Sequence, residues 1–169
     1  MKTEYVVTHL SVKLASSFEG FTRELEAALK RLDVPALAKA GHDPVAVDLA
    51  IKAMQGEEGM TLFNVEDLGH LLSLNGPART AKRYFIGNYQ RASQIISMDI
   101  RLGLYAPLRV LVYETEDKTA YAAYDLPSSQ FSTFGNELIT QSGLGLDGKL
   151  ERLIAICDER GKLTDDENV

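Results

Sequence analysis

The chain has 169 residues, 45% of them hydrophobic, and a formal net charge of −6 at pH 7. That length and apolar content support one well-packed domain rather than disorder, and the basic residues form no stripe interleaved with aromatics, which argues against nucleic-acid binding. No apolar run approaches the ~20 residues of a membrane span, the opening MKTEYVVTHLSV lacks a signal-peptide core, and a lone Cys157 fits a reducing compartment, so a cytoplasmic protein with no membrane attachment is expected.

Tyr5 to Val12 is β-branched and apolar enough for a first strand. A helix follows at once: Ser16 and Glu19 have capping-box spacing, and Phe18, Phe21, Leu25, Ala28, Leu29 and Leu32 recur on one face. Beyond Pro35, Asp43-Pro44 is a cap and first-turn pair, and Val47, Ala50, Ile51 and Met54 form a short stripe. Together they predict a second, shorter helix ending near Gly56. MTLFNV returns to strand composition, EDLGHLL reads as one or two helical turns, SLNGPART as a loop, and AKRYFIG as another strand.

That strand stops at Gly87-Asn88 and turns into a helix in which Ala92, Ile95 and Ile96 mark the inner face. LRVLVYETEDKTAYAAYDLP is two strands around an acidic turn, a hairpin from about Leu108 to Asp125 closed off by Pro127. Leu146, Leu150, Leu153, Ile154 and Cys157 make a last helical stripe before a polar tail. The expected organisation is a single domain over residues 1–163, with an added helical segment at 34–59 and a tail at 164–169. The expected class is α+β: a two-layer, mostly antiparallel sheet with its helices packed on one face.

The motifs GMTLFNVEDL, RYFIGN followed by Ala92, GLYAPLRVLVYE and YDLP, in that order and spacing, resemble domain-of-unknown-function family 302, best from Met60 to Pro127. The resemblance implies small bacterial or archaeal proteins with a fold similar to that of the TATA-binding protein, frequent self-association, and no established reaction. It implies no DNA binding, because a fold carries no site by analogy. Relatives commonly have Cys-Asn-Pro or Gly-Asn-Pro at the corner where this chain has Gly87-Asn88-Tyr89, so a thiolate or redox role there has no support in this sequence.

Two places attract a functional reading. At the corner, Asn88 is either the N-cap of the helix or part of an anion or small-ligand site completed by Arg91 and Arg83. In the hairpin, a three-residue turn at Glu116 to Lys118 sets Tyr113 opposite Tyr121, Leu111 opposite Ala123 and Arg109 opposite Asp125, with Val110, Val112, Ala120, Ala122 and Tyr124 on the core face. A two-residue turn would reverse the second strand's faces. The tyrosine face reads either as a dimer face or shallow binding site, or as a solvent face with one cross-strand ion pair.

His9, His42 and His70 have no metal-ligand spacing, Cys157 sits in an apolar stripe, and no GxSxG elbow or phosphate loop is present, so no metal site and no cofactor are assigned. The leading expectation is a noncatalytic homodimer that binds a small molecule or partner. The alternatives are an accessory interaction protein without a ligand, and an enzyme using Tyr113 or Glu114 as acid or base with Arg109 holding an anion.

Overall fold

In chain order, β1 (His9–Lys13) leads into α1 (Phe18–Ala28) and the two-residue β2 (Lys30–Arg31). Next come α2 (Val34–Ala40), α3 (Pro44–Ala53), β3 (Thr61–Asp67), α4 (Leu68–Leu72), β4 (Ala81–Gly87) and α5 (Tyr89–Met98). The hairpin strands β5 (Leu108–Glu114) and β6 (Ala120–Asp125) are followed by α6 (Pro127–Phe131) and α7 (Glu137–Asp166). This computed structural model describes residues 2, 4–77 and 79–167; Met1, Thr3, Ala78 of the expected loop and Asn168-Val169 of the expected tail lie outside the described residues.

The six strands form one sheet in the order β1-β6-β5-β4-β3-β2, antiparallel throughout except for the parallel β2–β3 edge. The protein is therefore α+β with a mostly antiparallel sheet. In β5 and β6, Leu111 opposes Ala123 and Tyr113 opposes Tyr121, the three-residue-turn register. The Thr115 N–H donates to the Thr119 carbonyl, and Lys118 takes the left-handed conformation (φ 65°) that closes such a turn. Period-two alternation then sends Val110, Val112, Ala122 and Tyr124 inward, where they are buried with Tyr84 and Ile86 of β4. Phe21 and Leu25 of α1 and Leu150, Leu153 and Cys157 of α7 complete that core layer.

Several local expectations change; α1 ends at Ala28, so Leu29 and Leu32 of the expected stripe lie outside it. β1 starts at His9 rather than Tyr5, because its only ladder partner, β6, ends at Asp125 opposite His9 and the chain then turns into α6 at Pro127. The cap of α1 is Ser17, whose side chain accepts from the Gly20 N–H; Ser16 instead donates its hydroxyl to Asp158 of α7 at 2.7 Å. The added segment holds two helices, since Asp33 caps α2 and Asp43 caps α3 with Gly41 between them at φ 60°. Finally, α7 begins far ahead of its apolar stripe, at the Asn136 cap, and runs through residues 164–166 of the expected tail. There Asp165 accepts from the N–H and hydroxyl of Ser17.

Candidate functional site

Asn88 is the N-cap of α5. Its Oδ1 accepts the Arg91 N–H at 2.8 Å, an arrangement that contributes about 1 kcal/mol to such a helix. Its Nδ2 donates to the Gly59 carbonyl, also at 2.8 Å, so both ends of the amide are committed. The segment it grips is fixed from the other side: Arg152 of α7 donates to both carboxylate oxygens of Glu58, at 3.0 and 2.9 Å, and Lys149 donates to the Glu58 carbonyl. The Arg152 guanidinium holds the Glu58 carboxyl below its usual range. Glu58 itself lies at φ 53°, a conformation unfavourable for a side-chain-bearing residue and held here by these contacts. The α2–α3 segment meets the same corner, with Gln90 donating to Asp48 at 2.6 Å and Gln55 donating to Gln90 at 3.1 Å.

Behind this corner, where β4 ends and β5 begins, lies a cavity of about 470 Å³. Its inner wall is apolar and drawn from several elements: Ile95 of α5, Leu108 of β5, Phe131 of α6 and Leu146 of α7 are all buried, and Phe63 and Pro107 add to it. Asn88, Tyr89, Arg91, Ser93 and Tyr105 supply polar groups. The Tyr105 hydroxyl pairs with that of Tyr5 at 2.7 Å, and this hydrogen bond is the main reason its pKa is raised. Phe63 is available as a wall because a bulge between Leu62 and Asn64 adds a residue to β3, and its ring leans on Tyr89 at 4.8 Å.

The residues singled out from sequence fall into two groups on different parts of the molecule. Asn88 and Arg91 line the cavity. Arg83 does not join them: it is paired with Glu66 on β3 and lies 5.4 Å over the Phe85 ring. β4 alternation explains this, since Arg83 and Phe85 project from the face opposite Tyr84 and Ile86. Tyr113 and Tyr121 stack on that outer face with centroids 5.5 Å apart, and the Tyr113 hydroxyl pairs with Ser11 at 3.1 Å. Asp125 makes a hydrogen bond with His9 at 3.0 Å across β1–β6, where the solvent-face alternative had an Arg109 ion pair, and Arg109 has no ion pair among the described residues. Glu114 is engaged by Lys118 at 2.7 Å. Tyr113 and Glu114 border one open depression and Arg109 another, beside Asp125, so the three do not converge.

Cys157 is fully buried, and desolvation pushes its thiol up to about 12. His42 and His70 are exposed, and among the described residues no group of three or more His, Cys, Asp or Glu is placed to hold a metal ion. No helix among those residues is long and apolar enough to cross a membrane. The cavity walls were not legible as a site in the sequence. They come singly from distant segments and match no linear motif, and their apolar character read only as core.

Fold and cavity together define an α+β protein whose pocket sits at one end of its sheet, built from the corner after β4, the start of β5 and the last two helices. The family model "Domain of unknown function DUF302" matches residues 43–157, and the chain belongs to that family. The crystal structure of an uncharacterized conserved protein DUF302 from Bacillus stearothermophilus is similar to it, with a TM-score of 0.60 at 14% identity, over 90% of this chain and 96% of that one. That likeness speaks to the fold. No curated protein matches the chain.

Proposed function

We infer that this protein is a noncatalytic cytoplasmic binding module, dimeric in use, that holds a small and largely apolar molecule in the cavity beside the Gly87-Asn88 corner. The observation that carries this reading is the cavity itself. Its volume of about 470 Å³ falls in the range of ligand pockets, and apolar walls with a few polar groups at the rim are the usual composition of such sites. The surroundings support it, because Asn88, Lys149 and Arg152 hold the neighbouring segment in place independently of any ligand. Self-association through the outer face of the sheet is a second part of the reading, supported by the half-buried Tyr113, Tyr121, Leu111 and Phe85 on that face.

Native mass spectrometry of freshly purified protein, combined with titration of an apolar fluorescent dye, tests the cavity. Wild type is expected to carry a small molecule or to bind the dye at one site, and Ala92→Trp, which places an indole against the cavity wall, weakens dye binding at least about tenfold while the fold persists. Absence of both a retained molecule and dye binding, or dye binding indifferent to Ala92→Trp, overturns the reading.

A further inference from the structure

We propose, resting on the reading of the cavity as a ligand site, that its ligand is an amphiphile with a single carboxylate head: an apolar body in the cavity and the carboxylate at Arg91. The cavity is graded in polarity. Ile95, Leu108, Phe131 and Leu146 are buried and apolar, whereas Arg91 and Ser93 are exposed. In a chain with 24 acidic and 18 basic residues, the lining contains no acid, and Arg91 is its one charged group.

Arg91 is also the one charged group left for a ligand to engage, beside Tyr89, which lines the cavity too. Both ends of the Asn88 amide are used, the Tyr105 hydroxyl pairs with Tyr5, and the Ser93 hydroxyl donates to the Gln90 carbonyl. Arg91 has no ion pair among the described residues, and acids on adjoining segments are engaged elsewhere: Asp48 with Lys52, Glu58 with Arg152, Asp99 with Arg101. A guanidinium beside an apolar wall matches a carboxylate through paired, charge-assisted hydrogen bonds. An ammonium head meets like charge there, and a hydroxyl head gains only a neutral contact.

The test uses the full chain and three probes that share one tail, dodecanoate, dodecanol and dodecyltrimethylammonium, titrated below their micelle concentrations. Dodecanoate is expected to bind about fivefold to tenfold tighter than dodecanol, as for one partly solvated charge pair, and the ammonium weakest. Arg91→Gln brings dodecanoate to the level of dodecanol and leaves dodecanol unchanged, while Arg91→Lys restores part of the difference. Equal binding of all three probes, or a carboxylate preference that survives Arg91→Gln, overturns the head-group assignment and leaves the cavity reading standing. If none of the three binds and the dye fails as well, the cavity reading falls and takes this one with it.

Discussion

Cys157 shows how burial sets the chemistry of one side chain. Its sulfur lies in the buried core, and losing water raises the thiol from an ordinary 9.0 to about 12. The folded chain therefore keeps that proton where the unfolded chain releases it. The associated stability is whole below pH 9 and is lost as pH rises from 9 through about 12. Tyr84 and Tyr124, both raised chiefly by desolvation, act in the same direction above 10.0. Denaturant midpoints measured across that alkaline range are expected to fall steadily in wild type and less steeply in Cys157→Ala. A thiol reagent is expected to label Cys157 slowly in the native protein and at once after unfolding; fast native labelling would contradict its placement in the core.

Among elements, the contact of α1 with α7 depends on two features of α7. Asp158 accepts from the N–H groups of Ala15 and Ser16 and from the Ser16 hydroxyl, and Asp165 accepts from Ser17, so carboxylates of one helix satisfy the orphan donors at the start of the other. The helices also meet backbone to backbone at Gly161, where an added Cβ would lie 2.9 Å from the Gly20 carbonyl carbon and 3.0 Å from the Phe21 nitrogen. Gly145 on the same helix faces open space. Opposite signs are therefore expected for one substitution: Gly161→Ala destabilises by about 1–3 kcal/mol through overpacking, and Gly145→Ala stabilises by about 0.5–1 kcal/mol through helix propensity. Thermal unfolding of the two variants side by side is the check, and equal shifts would refute the close approach.

At the scale of the molecule, the sheet is covered by α1 and α7 on one face and presents the other as a mixture of aromatic and charged side chains. A face of this kind needs a partner or water-compatible residues, and the Tyr113–Tyr121 stack with Leu111 and Phe85 is more apolar than water alone favours. A second copy of the chain is the simplest occupant. Sedimentation is expected to show wild type as a dimer that dissociates on dilution. Tyr113→Asp combined with Tyr121→Lys shifts it to a folded monomer, since neither residue belongs to the core cluster. A wild type that stays monomeric at every concentration, or a double variant that unfolds, contradicts the dimer face.

What the sequence determined by itself is what local chemistry dictates. The α1 stripe of Phe18, Phe21 and Leu25, the Asn88 cap and the two faces of the β5–β6 hairpin follow from 3.6- and 2-residue periodicity, cap chemistry and turn length, each confined to a few neighbouring residues. Tertiary structure decided whatever depends on partners far along the chain. Ser17 rather than Ser16 caps α1, and Ser16 is instead tied through its N–H and hydroxyl to Asp158, 142 residues away. Asp125 paired with His9 because β1 lies next to β6 in the sheet, which no local pattern encodes. The cavity belongs to this second class: a void among Phe63, Ile95, Leu108, Phe131 and Leu146 is a property of how separate elements meet, and the same side chains packed closer would read identically in sequence.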